Sequence, residues 1–434
     1  MVRFMRTIAP SGSWRLALCA VLCLPMLSCG GDDGSTGLSS STGSTGSGSS
    51  GSSAPTGANV VGVVVNGGPT STSPSVNTLF TTVTVCVPGT TTCQTIDNIQ
   101  VDTGSYGLRI LTPVLNISLP VQTALSGGSL VECTSFADGY SWGPVALADI
   151  QVSGESANSV PVQVIGDPNF PNVPANCANG PAEDTVATFG ANGLIGIGVF
   201  AQDCGAGCVT TVDNQIYYSC ASSSVECQPT AVQSLTSQVT NPITLFAADN
   251  NGVIIQLPSV AAAGAATVSG YMIFGIDTQT NNKSGGQTVL TVDSTVGDFT
   301  TVFEGQNLTT SFLDTGSNGL FFIASSNSPI TPCQASGFAG FYCPTSALSL
   351  TAELQGQTAD GDATTVSVSQ NFSVGDAETL NGDFTAAPTL AGTFGGPNAA
   401  TTFDWGLPFY FGRTVYTAIQ GAATSVGTGP YVAF

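Results

Sequence analysis

The sequence contains no histidine and very little positive charge. Histidine is the general base of Ser-His-Asp and Cys-His sites and a common zinc ligand, so its absence from all 434 residues excludes those chemistries. Only 6 Lys and Arg stand against 27 Asp and Glu, and half of the six lie in the first 15 residues. The remaining chain has a formal charge of −24, three basic residues against 27 acidic ones. Such a chain repels phosphate backbones, so nucleic acid is not an expected partner.

Lysine is nearly absent, whereas glycine, threonine, serine and valine are abundant. The 53 glycines and the many β-branched residues favour strands and tight turns over helices, and 42% hydrophobic residues suffice for a buried core. The length permits two or three domains or one large all-β unit. We expect strands at 60–65, 81–86 and 145–152, and a short helix at 228–239.

Residues 1–29 have the pattern of an export signal. Three arginines precede an apolar run at 16–24 that is short for a membrane span. The run leads into Met26-Leu27-Ser28-Cys29-Gly30, which resembles the lipobox of bacterial lipoproteins, in which the Cys is lipidated and becomes the mature N-terminus. Cys29 is therefore the lipidation candidate. The alternative is ordinary signal-peptide cleavage, with Cys29 incidental.

Residues 30–58 consist almost wholly of Gly, Ser and Thr. A segment of this composition cannot bury a core and is typical of a flexible tether. With a lipidated Cys29 at its start, the tether would hold the folded part near a bilayer. We expect membrane contact through this lipid anchor only.

The cysteines are consistent with export. Setting aside Cys19 and Cys23 in the signal and the lipid candidate Cys29 leaves ten, an even number in a compartment that oxidises thiols. The near neighbours in sequence are Cys86 with Cys93, Cys204 with Cys208, Cys220 with Cys227, and Cys333 with Cys343, which leaves Cys133 and Cys177 to each other. Metal ligation is the alternative, but the chain has neither a CxxC pair nor a histidine to favour it.

One short phrase occurs twice in the chain. The copies are Val-Asp-Thr-Gly-Ser-Tyr-Gly-Leu at 101–108 and Leu-Asp-Thr-Gly-Ser-Asn-Gly-Leu at 313–320. A Gly-Leu dipeptide follows each copy at nearly the same distance. Gly193 lies 91 residues after Asp102, and Gly406 lies 92 residues after Asp314. Matched phrases at matched offsets indicate a duplicated lobe, with one Asp contributed by each half.

These paired phrases resemble the pepsin-like aspartic peptidases, a bilobal all-β family. The apolar Gly-rich segments at 193–198 and 405–411 are similar to the segments that cross behind the two catalytic loops of that family. The aromatic hairpin at 136–143 falls where the family has its substrate-covering flap. Over 60–434 the chain looks most like a group of predicted bacterial lipoproteins that is catalogued as a domain of unknown function.

The resemblance implies an all-β, bilobal, pepsin-like double β-barrel with an active-site cleft between the two lobes. The lobes would be 59–240 and 241–434. It also implies a monomer that binds a peptide or protein substrate and needs neither a metal nor another cofactor.

Site residues carry over onto the matching positions of this chain. Asp102 and Asp314 match the catalytic pair, and Thr103 and Thr315 match the threonines that brace the opposite loop. Ser105 and Ser317 match the positions that hydrogen-bond the outer carboxylate oxygens. Gly104 and Gly316 match the glycines whose amides face the carboxylates. The flap candidates are Phe136, Gly139 and Tyr140. The family carries Tyr where Phe136 aligns, and Tyr140 is nearby but shifted.

The chemistry of such a site needs both aspartates. Two carboxylates about 3 Å apart cannot both ionise, so they share one proton. The ionised member takes a proton from a bound water, and the protonated member donates to the peptide carbonyl. The leading hypothesis is an exported aspartic endopeptidase tethered at the cell envelope, on the periplasmic or surface face of the outer membrane. The alternatives are a catalytically silent peptide- or protein-binding lipoprotein and a β-rich surface adhesin, which leaves the doubled phrase unexplained.

Overall fold

The computed structural model describes residues 54–70, 74–136, 138–212, 215–221, 226–324, 329–380, 384–396 and 398–434. The predicted signal, Cys29 and the tether up to residue 53 lie outside this range. Within the described part, no helix has the length and apolar character needed to cross a membrane.

Nearly all regular structure in the described residues is β. The strands before residue 240 are β1 Val60–Val65, β2 Leu79–Cys86, β3 Cys93–Asp102, β4 Tyr106–Leu111, β5 Ser129–Ser135, β6 Tyr140–Val152, β7 Glu155–Ile165, β8 Gly193–Ile197, β9 Tyr217–Cys220 and β10 Gln228–Pro229. The later strands are β11 Gly252–Gln256, β12 Val268–Phe274, β13 Val289–Thr291, β14 Phe299–Phe303, β15 Gln306–Leu313, β16 Leu320–Phe321, β17 Leu348–Gln357, β18 Ala363–Val374, β19 Ala391–Gly392, β20 Asp404–Trp405, β21 Thr414–Ala418, β22 Ala423–Thr424, β23 Gly427–Thr428 and β24 Tyr431–Ala433.

The helices are single turns that connect strands. The α-helices are α1 Val186–Phe189 and α2 Ala206–Thr210, and the 3-10 helices are Thr112–Val114, Leu235–Ser237, Pro242–Leu245, Ser336–Phe338, Ala399–Thr401 and Leu407–Tyr410. The first lobe is a barrel with the strand order β6-β7-β4-β8-β3-β2, in which β2 pairs back onto β6 and closes the ring. The side chains of β2 alternate between the barrel interior and the surface. Val83 and Val85 are buried, while Thr82 faces solvent.

A shared sheet links the two halves of the chain. Strand β1 pairs with β2 on one side and residue for residue with β12 on the other, from Val60 opposite Ile273 to Val65 opposite Val268. The sheet then continues through β11, β21, β24 and β13. The first described strand is thus hydrogen-bonded into a sheet made mainly from the second half.

The second lobe is a seven-stranded sheet in the order β18-β17-β14-β15-β20-β16-β19. Three aromatic rings form its core stack, with Phe403 lying 4.7 Å from Phe322 and 4.0 Å from Trp405 between ring centroids. The indole of Trp405 also donates to Thr301 Oγ1 at 3.0 Å. Because Trp405 belongs to β20, the stack holds this strand in place beside the second copy of the Asp-Thr-Gly-Ser sequence.

All ten candidate cysteines are disulfide-bonded in the predicted pairs. The bonds are Cys86–Cys93, Cys133–Cys177, Cys204–Cys208, Cys220–Cys227 and Cys333–Cys343. The disulfide prediction is confirmed, and the metal alternative is wrong because these sulfurs are already bonded to each other. Cys133–Cys177 closes the longest loop, with a sequence separation of 44.

The predicted strands at 60–65, 81–86 and 145–152 are present, but the helix expected at 228–239 is wrong. Gln228–Pro229 pairs with β9 as a two-residue strand, and the segment contains only the 3-10 turn Leu235–Ser237. The Cys220–Cys227 bond and this pairing hold the chain extended at Gln228 and Pro229. Tertiary contacts therefore override the local pattern.

Candidate active site

Each of the two aspartates stands at the end of a strand that has the same surroundings. Asp102 is the last residue of β3, and Asp314 directly follows β15. In the first lobe β8 runs parallel to β3 and antiparallel to β4. In the second lobe β20 runs parallel to β15 and antiparallel to β16. The duplicated phrase is therefore folded into duplicated loops.

The strand register corrects one sequence match. Gly196, not Gly193, lies opposite Asp102, whereas the amide of Asp314 binds Trp405 O and so brings Gly406 beside it. Matching Gly193 with Gly406 is therefore wrong by three residues. A Cβ at Gly196 would lie 2.3 Å from the amide nitrogen of Tyr106, so only glycine fits where the loop crosses this strand.

Two threonines lock the loops together through four buried hydrogen bonds. The amide of Thr103 donates to Thr315 Oγ1 at 3.1 Å, and the amide of Thr315 donates to Thr103 Oγ1 at 3.0 Å. Each hydroxyl in turn donates to a carbonyl of the opposite strand, Thr103 to Leu313 O at 3.2 Å and Thr315 to Val101 O at 2.7 Å. The exchange is reciprocal, so neither loop can shift without breaking bonds to the other.

The carboxyl group of Asp102 is buried and held by its own loop. The amide of Gly104 donates to Asp102 Oδ1 at 2.7 Å, and the Ser105 hydroxyl donates to Oδ2. Across the gap, each carboxyl group lies against the glycine of the opposite loop, which brings Asp102 and Asp314 close enough to interact. Burial, followed by the charge of Asp314, raises the pKa of Asp102 well above its ordinary value, against the lowering effect of Ser105 and Gly104.

Asp314 has the matching set of donors but is less buried. The amide of Gly316 donates to its Oδ1 at 2.7 Å, and the Ser317 hydroxyl donates to its Oδ2 at 2.9 Å. The structure thus brings together all eight loop residues that the sequence singled out.

The hairpin that the sequence predicts as a flap is formed by β5 and β6, and Phe136, Asp138 and Gly139 lie between the two strands. The amide of Phe136 donates to Gly139 O at 2.8 Å and closes the turn. Phe136 and Asp138 line the cavity that contains both aspartates, together with Phe189 and Phe312. The rings of Phe136 and Phe189 meet edge to face, 5.7 Å apart. This part of the turn gives the cavity an apolar wall.

Gly139 and Tyr140 face a different neighbour. A Cβ at Gly139 would lie 2.4 Å from Pro181 O, and the backbone of Tyr140 exchanges hydrogen bonds with Pro181 and Glu183 at 3.0 and 2.8 Å. Tyr140 is not among the residues that line the cavity. The Cys133–Cys177 bond adds a covalent link between β5 and the segment leading to Pro181, so the hairpin is braced along one edge.

A buried ionic network lies between the first Asp loop and the flap, and sequence reasoning missed it. The guanidinium of Arg109 donates to Glu132 Oε1 at 2.7 Å, to Asp203 Oδ2 at 3.2 Å and to Tyr106 O at 2.5 Å. The Tyr217 hydroxyl donates to Asp203 Oδ1 at 2.7 Å. Arg109 stands in β4 and Glu132 in β5, so the network joins the strand leaving the Asp102 loop to the flap hairpin.

One guanidinium in this network faces two carboxyl groups. Burial, followed by the charge of Glu132 and a hydrogen bond with it, raises the pKa of Asp203 well above its ordinary value, although Arg109 and Tyr217 lower it. Asp203 also lines the cavity. No local pattern in the sequence marks these residues, because their partners lie 23 and 94 positions away along the chain.

The fold and the paired loops define an all-β, bilobal architecture of the pepsin-like class. The model of a family described as "Protein of unknown function (DUF3443)" matches residues 55–434, and the chain belongs to this family. A search of the curated proteins gives no match. Among solved structures the chain is similar to "Crystal structure of aspartic proteinase from Irpex lacteus", with 11% sequence identity over 86% of this chain and 96% of that chain and a TM-score of 0.47.

Proposed function

We propose that the protein is an aspartic endopeptidase that hydrolyses peptide bonds with a water activated by Asp102 and Asp314. The observation that carries the proposal is the close approach of these carboxyl groups, each with its own amide and hydroxyl donor. Purely structural aspartates are not usually placed against each other in a cavity, because two like charges in contact are unfavourable. General acid-base catalysis by a carboxyl pair needs this arrangement.

The reaction follows from the shared proton. The ionised carboxylate accepts a proton from the water as that water attacks the amide carbon, and the protonated carboxyl donates to the carbonyl oxygen. The Ser105 and Ser317 hydroxyls hold the outer oxygens, which keeps the inner oxygens aimed at the water. Activity should be highest in acid and fall towards neutrality, as the pair loses its shared proton.

The site of action is proposed to be the cell envelope. Five disulfides are compatible with export to an oxidising compartment. Lipidation of Cys29 and the Gly/Ser/Thr-rich tether would keep the peptidase at a membrane, acting as a monomer on peptides or proteins. No Lys or Arg lies between Cys29 and Asp102, so the proposal does not include inhibition of the peptidase by a basic pro-segment.

The test is digestion of a peptide library by the purified domain across pH 3–7. The matched variants are Asp102→Asn and Asp314→Asn, in which an amide replaces a carboxyl of the same shape and can neither share nor accept the proton. Both variants should fold and lose turnover, whereas Asp360→Asn on an exposed turn should behave as wild type. Pepstatin should inhibit and chelators should not.

A silent peptide-binding protein is the second candidate, and one observation favours it. The hairpin presents Phe136 to the cavity where pepsin-like peptidases have a Tyr, and Tyr140 is not among the residues that line the cavity. A binding protein would take up peptides or pepstatin in the same cavity without cleaving them. If wild type binds but no pH gives cleavage, this candidate replaces the first.

A further inference from the structure

The four hydrogen bonds between the Thr103 and Thr315 loops are symmetric, and the phenol of Tyr410 breaks this symmetry. The hydroxyl of Tyr410 lies 2.9 Å from Thr103 Oγ1, and the Tyr410 side chain is fully buried at the end of the 3-10 helix Leu407–Tyr410. This helix directly follows β20 and the Gly406 crossing. The second lobe therefore reaches across and contacts the threonine that stands next to Asp102.

The direction of this hydrogen bond is set by the other partners of Thr103. A threonine hydroxyl has one hydrogen and two acceptor sites. The hydrogen goes to Leu313 O, and one acceptor site takes the amide of Thr315. The remaining acceptor site faces Tyr410, so the phenol is the donor. Burial, followed by the negative charges of Asp314 and Asp102, raises the pKa of Tyr410, which keeps the phenol protonated.

Among the described residues of the first lobe, no phenol takes the equivalent place. Tyr410 lies four residues after Gly406, and the residue four positions after the equivalent Gly196 is Phe200, which carries no hydroxyl. Within the described residues, the Thr315 hydroxyl has its bonds to Val101 O and the Thr103 amide, but no phenol donor. The two threonines are alike in sequence and unlike in their surroundings.

We propose that Tyr410 is a positioning residue for the Asp dyad, acting through Thr103 to fix the Asp102 loop and to make the two carboxyl groups inequivalent. The proposal rests on the proposed peptidase function for its kinetic consequences. Its structural part needs only the dyad and not turnover. The phenol fills the last acceptor site of a hydroxyl that holds both loops, so its loss leaves a buried acceptor unpaired one residue from Asp102.

Tyr410→Phe removes the hydroxyl and keeps the ring. We expect kcat to fall about tenfold, equal to about 1.4 kcal/mol, with KM nearly unchanged. We also expect the acid limb of the pH profile to move to higher pH, because a donor near the ionised pair has been lost. The matched control is Tyr342→Phe, which removes a buried hydroxyl that donates to Phe322 O at 2.7 Å in the same lobe.

Both variants should lower the melting temperature, and only Tyr410→Phe should move the pH profile. Equal kinetics for the two variants would overturn the proposal and leave Tyr410 a structural residue. If Tyr410→Phe does not fold, 3-fluorotyrosine placed at 410 keeps the ring and is a stronger donor. The acid limb should then move to lower pH, and an unmoved limb rejects the idea.

A second readout separates this proposal from the peptidase itself. Carboxyl ¹³C NMR of Asp-labelled protein follows the titration of the dyad directly, with signals assigned from Asp102→Asn and Asp314→Asn. A titration that moves in Tyr410→Phe and not in Tyr342→Phe supports the positioning role even if wild type cleaves nothing. An unmoved titration overturns it even if wild type is an active peptidase.

Discussion

The Cα of Gly104 faces the carboxyl group of Asp314 so closely that a Cβ there would lie 2.7 Å from its Cγ atom. Gly316 stands in the same relation to Asp102, again at 2.7 Å. Neither glycine needs a left-handed backbone, so space alone requires glycine at these positions. Each loop makes room for the acid of the other, and this is how the two carboxyl groups come close enough to interact.

Gly104→Ala should therefore separate the carboxyl groups. The added methyl meets a carboxylate fixed by Gly316 and Ser317, so the loops must move apart. We expect a loss of kcat/KM of about 100-fold or more and a loss of stability of about 1–3 kcal/mol. Peptide-cleavage kinetics and thermal unfolding measure the two effects.

The matched control is Gly62→Ala in β1, where a Cβ would meet nothing within 4 Å. This variant should keep full activity and equal or greater stability, because it lowers the entropy of the unfolded chain. If Gly104→Ala were as active as Gly62→Ala, the close packing of the loops would not matter for function.

The sequence predicts the duplicated part of this site well and the register poorly. The phrase at 101–108 and its copy at 313–320 carry the loop residues within eight positions each, so local reading suffices. The segment behind the first loop offers glycines at both 193 and 196, and only the pairing of β3 with β8 decides which one lies beside Asp102. Register is a property of two strands and is absent from either one alone.

Removing the Cys133–Cys177 bond should destabilise the protein more than removing Cys86–Cys93. A disulfide restricts the unfolded chain, and the restriction grows with loop length. Separations of 44 and 7 correspond to about 4 and about 2.5 kcal/mol on the loop-entropy estimate. Paired Cys→Ala variants compared by urea unfolding give the two values.

The long bond also braces the flap. Loss of Cys133–Cys177 should raise proteolytic nicking near 136–139, while loss of Cys86–Cys93 should leave that turn protected. Mass spectrometry of the unreduced exported wild type should find no free thiol among the ten cysteines. Equal destabilisation and equal nicking in the two variants would contradict the role given to the longer bond.

The proposed lipid anchor predicts where the protein is found. With lipidated Cys29, the full chain should fractionate with membranes and be extracted by detergent, whereas Cys29→Ala should be released or remain unprocessed. A tether of fewer than 30 residues has a root-mean-square span of about 30 Å, so the body would stay near the bilayer. Labelling with a radioactive fatty acid checks the modification directly. Identical soluble fractionation of both forms would count against the anchor.

The part of the site that the sequence does not reveal is the buried network around Arg109. An Arg in a strand next to the Asp loop gives no hint that its partners come from β5 and from the loop after β8. Tyr410 is equally hidden, since its contact with Thr103 spans 307 positions. These groups meet only because the barrel closes, and a local pattern carries no information about such pairs.

The raised pKa values of Asp203 in this network and of Asp102 in the aspartate pair predict a stability that falls with rising pH. The pKa of Asp203 is raised in the folded state, as is that of Asp102, so the folded protein holds protons that the unfolded chain releases. The stabilisation is fully present below the ordinary Asp pKa of about 4 and is lost as the pH rises through the raised values. The melting temperature should therefore decrease from about pH 4 towards neutrality.

Asp203→Asn should flatten this profile. An amide has nearly the shape of the protonated carboxyl, can accept from Tyr217 and can donate towards Glu132, and it has no proton to lose. It gives up the hydrogen bond that Asp203 Oδ2 accepts from Arg109. At pH 4 the variant should melt below wild type, because its amide nitrogen cannot accept from Arg109, and the difference should shrink as the pH rises, because only wild type loses the proton held by the raised pKa of Asp203. Calorimetry at matched ionic strength measures both curves, with Asp360→Asn on an exposed turn as the control that should run parallel to wild type. A wild-type melting temperature that rises between pH 4 and 7, or an Asp203→Asn curve that follows wild type throughout, would show that the surplus proton does not reside in this network.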